Sequence, residues 1–223
     1  MTAPLAAVVV YAAFPAVAVV AGGALASWRM PGPGMRSAIQ HFAAGLIFCV
    51  LATELLPDLL HRHMPWITIL GFSLGVAVML GIKHFFEGKE GDTESEADSS
   101  STSLVAARGI DVTLDGLLIG LGFAAGQKQG LLLTLAMVFE VFFPGVAVAS
   151  STGNAKVSLG RTFRTTGMLG TLMLTGAIAG ATAVSFFPPA VLDGLLAFGV
   201  AALLFLVTEE LLVEAHEVPE TPF

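Results

Sequence analysis

Charge is scarce in this chain. Only 12% of its residues are Asp, Glu, Lys or Arg, while 55% are hydrophobic. A water-soluble domain carries about twice that charged fraction, so a soluble globular protein is excluded first. Cysteine is nearly absent as well. Cys49 stands alone, which excludes an intrachain disulfide and any paired-thiol motif. Lying in an apolar run, it reads as a small core residue. There is no G-x-x-x-x-G-K-[ST] phosphate loop and no H-E-x-x-H pair. The serine runs Ser99-Ser100-Ser101 and Ser150-Ser151 have no histidine base nearby in sequence, so a nucleophilic enzyme finds no foothold. No basic stretch precedes the first apolar run, which therefore reads as a retained span and not a cleaved signal. No enzymatic activity, organic cofactor or nucleic-acid partner is expected.

What the chain has instead is long apolar runs. Seven can be marked, at roughly 5–27, 37–60, 65–86, 109–126, 129–151, 163–186 and 189–213. A helix needs about 20 apolar residues to cross a bilayer, whereas barrel strands alternate over ~10 residues. Without water, each span must satisfy its own backbone hydrogen bonds, and a helix does so. The expected fold is an all-α, polytopic transmembrane helix bundle in the cell (inner or plasma) membrane. Breakers punctuate it. Trp28-Arg29-Met30-Pro31-Gly32-Pro33-Gly34 separates the first two runs, Pro65 suits a first helical turn, and Pro188-Pro189 separates the last two.

Residues 87–107 differ from the rest. They are rich in Ser and hold Glu87, Glu90, Asp92, Glu94, Glu96 and Asp98. Composition predicts a disordered acidic loop. It would divide spans one to three (1–86) from spans four to seven (108–213), with 214–223 as a tail. Lys and Arg set the orientation. Arg29, Arg36, Lys83, Lys89, Arg108, Lys156, Arg161 and Arg164 follow the odd spans, whereas only Arg62 and Lys128 follow the even ones. That places the acidic loop and the C-terminus in the cytoplasm and the N-terminus outside.

A weak internal echo accompanies this topology. Glu54-Leu55-Leu56-Pro57-Asp58 closes span two, and Glu210-Leu211-Leu212-Val213-Glu214 closes span seven. Opposite orientation of two similar helices is what an inverted repeat would give.

Carboxylates inside the spans carry the chemistry. Each costs several kcal/mol near mid-bilayer, so it should face a cavity or a partner. Asp111 and Asp115 share one face of span four. Glu140 lies near the middle of span five, and no Lys or Arg falls in the core of either span. Acids converging there either hold protons or bind a cation. Oxygen ligands suit Mg, Mn, Fe(II) or Zn, with harder ions preferred when no His or Cys joins. Asp111 stands close enough to the helix end to be a cap instead. Gly116, Gly120 and Gly122 are read as one small face of span four, open to close helix approach. Pro144-Gly145 should break span five, because Pro144 cannot donate to the Glu140 carbonyl, which becomes a further expected ligand. Glu54, Asp58, His61 and His63 could line an outer path, and Glu209, Glu210, Glu214 and His216 an inner one; interfacial polarity explains both sets equally well. His41 and His84 read as interfacial residues.

These motifs resemble the ZIP (Zrt/Irt-like) metal transporter family. His41-Phe42-Ala43-Ala44-Gly45 through Glu54-Leu55-Leu56-Pro57-Asp58 looks like its second helix. Asp115-Gly116 in "DVTLDGLLIG" is similar to the family's H-N-x-x-D-G, and "FEVFFPGVAVAS" stands where the family has H-E-x-P-E-G. Position by position, Asp111 replaces a His, Val112 an Asn, Glu140 a His and Pro144 an acid, and an eighth helix is missing. The resemblance implies alternating-access transport of a divalent metal (zinc, manganese, iron or cadmium) bound between helices four and five. It also implies an elevator-like motion of one bundle against a scaffold, within a homodimer. The substitutions should favour harder ions over zinc. The alternative is a ZIP-like protein with a degenerate metal site, acting as a sensor or carrying another substrate.

Overall fold

Helix follows helix along the described residues. A computed structural model describes residues 5–28, 32–61, 64–90, 97–151, 159–183 and 185–216. Its helices are α1 (Leu5–Trp28), α2 (Pro33–Val50), α3 (Leu56–His61), α4 (Pro65–Glu90), α5 (Ala97–Ala125), α6 (Gln127–Glu140), α7 (Phe142–Ser151), α8 (Leu159–Ala183), α9 (Pro189–Leu206) and α10 (Leu212–His216). There is no strand among the described residues. Among the described residues, six helices are long and apolar enough to cross a membrane: Leu5–Trp28, Gly34–His61, Pro65–His84, Gln127–Val146, Gly160–Ala183 and Pro189–Glu209. The chain is therefore a multi-pass membrane protein. The segment 109–126, expected as a further span, lies in α5, which is not among the six. Arg108, Asp111 and Asp115 interrupt its apolar stretch.

The stretch expected as a loop is mostly helical where it is described. α4 runs on to Glu90 and α5 begins at Ala97, leaving 91–96 outside the described residues. Ala97, Leu104, Ala106 and Ala107 supply helix-forming residues that the Ser and acid content masks, and Val105 packs on the core.

Lipid offers side chains no hydrophobic reward for meeting one another, so close packing of small residues holds the helices together. α5 and α8 meet backbone to backbone. A Cβ on Gly116 would strike the Met173 carbonyl, and one on Gly120 the Ala177 carbonyl. From the other side, Gly176 abuts the Thr113 carbonyl and Gly180 that of Leu117. Gly122 does not share this face; it turns to Leu133 and Gly130 of α6. α1 lies against α7 and α8, and α4 against α9. Large apolar side chains such as Phe14, Val17, Trp66, Leu70 and Leu74 point outward. So does Cys49, which is exposed and not in the core. An apolar residue in a span can face lipid as readily as protein, which is why its sequence context misplaced it.

Two helices share one layout. α2 and α9 each begin on a proline and run 18 residues. Each then widens into a five-residue π turn, Leu51–Leu55 or Val207–Leu211, before α3 or α10 resumes. Thr53 donates its hydroxyl hydrogen to the Cys49 carbonyl and Thr208 to that of Leu204, both at 2.8 Å. These hydroxyls compete for the carbonyls that an α-helical ladder would use. Pro57 withholds an N–H in the first copy only, so the threonine is the feature that the two copies share. The two helices run antiparallel. Ser37, near the start of α2, donates to the Ala215 carbonyl of α10 at 2.8 Å, while α3 packs on α9.

Candidate metal centre

Asp111 and Asp115 lie one helical turn apart on α5, and α6 packs beside α5 with Glu140 as its last residue. One carboxylate oxygen from each of Asp111, Asp115 and Glu140 falls within 4.8 Å of the other two. Metal–oxygen bonds of about 2.0–2.6 Å let one ion touch oxygens up to about 5 Å apart, so the spacing suits a shared cation. Asp115 is 2% exposed and Glu140 1%; Asp111 is half-buried. The three residues that the sequence singles out as ligands are thus brought together.

A basic group also stands beside the cluster. The Arg108 guanidinium lies 3.6 Å from Asp111 Oδ2. Sequence reading placed Arg108 outside the span and missed this contact, although the spacing Arg108 to Asp111 allows it on a helix.

The break at Glu140 has a covalent cause. Pro144 has no N–H for the Glu140 carbonyl. α6 stops at Glu140, Val141 turns with φ −70° and ψ −9°, and α7 restarts at Phe142. The Gly145 N–H reaches the Val141 carbonyl at a long 3.4 Å. Gly145 is also a close-packing point, since a Cβ there would strike the Val19 carbonyl of α1.

The residues expected along a path divide between the two ends of the molecule. Glu54 sits in the first π turn and accepts from Lys128 at 2.6 Å. Asp58 is half-buried on α3. His61 is exposed, its Nδ1 2.6 Å from the Pro57 carbonyl. At the opposite end Glu209 accepts from Lys83 at 2.6 Å. His63 lies outside the described residues, as do the side chains of Glu210 and Glu214. Among the described side chains, none of these joins the three-carboxylate cluster. Buried polar residues that went unnoticed in the sequence include Gln40 on α2 and Asp193 on α9. Asp193 could have been found by the rule that flags Asp115, an acid within an apolar run.

The sequence matches no protein-family model and no curated protein.

Proposed function

We propose that this chain is a membrane transporter that moves divalent metal cations by alternating access, on a plan similar to that of the ZIP family. The observation that carries the reading is the meeting of Asp111, Asp115 and Glu140 from two helices, with Asp115 and Glu140 buried. Such acids are costly at bilayer depth and mark ion pathways by default. The cluster offers oxygen alone, with no imidazole or thiolate among its members. That donor set favours harder ions such as Mn(II) and Fe(II) over zinc.

The paired layout of α2–α3 and α9–α10 supports an inverted repeat, the architecture in which one bundle rocks or slides against another. We take α5 as a seventh span, with its polar residues turned to a shared cavity. The Lys128–Glu54 end is then outside and the Lys83–Glu209 end cytoplasmic, following the basic-residue bias. A homodimer in the cell membrane completes the proposal.

Uptake of Mn(II) into proteoliposomes tests it. Asp115→Asn and Glu140→Gln should each abolish uptake while the protein still inserts and stays monodisperse. Normal uptake in both variants would end the proposal. One observation favours a second reading, in which the cluster is a charge network of a sensor that holds a metal without carrying it. Arg108 beside Asp111 already supplies a positive charge. Calorimetric binding of Mn(II) without uptake would select that reading.

A further inference from the structure

A pair of histidines outside the three-carboxylate cluster lies where the start of α2 meets the end of α10. The rings of His41 and His216 approach with centroids 5.0 Å apart and planes tilted by 58°. In each, Nδ1 faces a backbone carbonyl one turn earlier: Ser37 at 2.9 Å for His41, Leu212 at 2.6 Å for His216. A carbonyl only accepts, so Nδ1 carries the hydrogen and the neutral ring keeps its lone pair on Nε2. Histidines that bind metals are commonly held this way, with the second nitrogen donating to a carbonyl that fixes tautomer and ring direction. His61 makes the same bond to Pro57 at 2.6 Å, so the tautomer alone marks nothing. The meeting of two such rings does.

We infer that His41 and His216 form a two-imidazole site for a borderline-soft divalent ion, of the copper, nickel or zinc class. With metal–nitrogen bonds of about 2.1 Å, two imidazoles on one tetrahedral ion hold their ring centres about 5 Å apart, the separation found here. Both rings are exposed, so water can complete the coordination. Ser37 already ties the two helices through the Ala215 carbonyl, and a shared ion would add a second tie across the same junction. The donors are nitrogen, in contrast to the all-oxygen cluster on α5 and α6, so the two places should sort ions differently. The inference does not depend on transport.

Cu(II) bound to the full chain, free of any affinity tag, provides the test. The electron paramagnetic resonance spectrum at one equivalent should carry nitrogen couplings from two imidazoles. His41→Ala and His216→Ala should each remove one ring's coupling and weaken Cu(II) binding at least ~10-fold, since loss of a ligand should cost no less than loss of its orienting partner. Asp115→Asn and His61→Ala should leave the couplings in place. An unchanged spectrum in either of the first two variants overturns the inference. Should those variants fail to fold, chemical acylation of the wild-type histidines decides it: Cu(II) should protect both rings, and protection of neither refutes the site.

Discussion

Lys128, in the first turn of α6, reaches Glu54 in the π turn that joins α2 to α3, at 2.6 Å. The second π turn repeats the arrangement, with Lys83 of α4 at 2.6 Å from Glu209. Each widened turn therefore presents a carboxylate to a lysine from a helix outside the pair. π turns embedded in α-helices occur often at functional sites.

Short distance does not make these pairs strong. Lys128 is 72% exposed although its partner Glu54 is only 14% exposed, and Lys83 and Glu209 are 36% and 44% exposed. Exposed pairs contribute about 1 kcal/mol or less, because solvent screens them and two flexible chains must be held still. We predict that a double-mutant cycle of Lys128→Met with Glu54→Gln gives a coupling no larger than about 1 kcal/mol. The same holds for Lys83→Met with Glu209→Gln. Thermal unfolding in detergent measures both. A coupling of several kcal/mol would mean that the pair is shielded from water in the membrane and is a structural clasp.

Glycine substitutions should split sharply by place. Gly116 has the Met173 backbone where a Cβ would go, so Gly116→Ala must push α5 from α8. The expected loss is about 1–3 kcal/mol, the scale of overpacking in a tight interior. Gly45 and Gly167 sit inside helices with nothing within 4 Å of a built Cβ. There, alanine should be neutral or stabilising by up to ~1 kcal/mol, through helix propensity. Melting temperatures of the three variants decide the matter, and equal melting temperatures would contradict the backbone contact.

Much of this architecture is legible in the sequence, for a physical reason. Membrane spans must be long and apolar, so α1, α4, α8 and α9 stand out by length alone. Asp115 and Glu140 stand out because acids are rare in such runs, and Pro144 announces the break after Glu140 because its nitrogen has no hydrogen. Other features depend on which way a side chain points around a helix. Cys49 faces outward and Gly122 faces α6, neither of which apolar composition can tell. The meeting of His41 with His216 is a contact between the start of one helix and the end of another, and no local pattern encodes it. The π turns carry threonine hydroxyl bonds that α-helical turns at Thr134 and Thr166 make as well, so threonine alone does not announce them.

Pro144→Ala would return an N–H to the position facing the Glu140 carbonyl. α6 and α7 could then run as one helix through Val141. We predict no loss of stability, because one backbone hydrogen bond is gained, worth about 1 kcal/mol. The cost should fall on the site. Straightening turns Glu140 relative to Asp115, and mis-orienting a ligand lowers metal affinity roughly ten-fold or more. Calorimetry with Mn(II) should show weaker binding in a protein that melts no earlier. Unaltered affinity would mean that the break does not position Glu140.

Arg108 offers the last test, because its charge and that of a metal compete for the same oxygens. The guanidinium stands 3.6 Å from Asp111 Oδ2, with the two side chains only 16% and 11% exposed. Screening by water is therefore weak, and a neighbouring positive charge opposes a divalent cation by a few kcal/mol at most at the effective dielectric of such sites. Arg108→Gln removes that opposition and should raise Mn(II) affinity by roughly ten-fold, a change of about 1.4 kcal/mol. Asp111→Asn should weaken binding less than Asp115→Asn, because Arg108 already draws on the charge of Asp111. Weaker binding in Arg108→Gln would reverse the assignment: Arg108 would then be holding Asp111 in place for the ion, and its loss would release a ligand instead of a competitor.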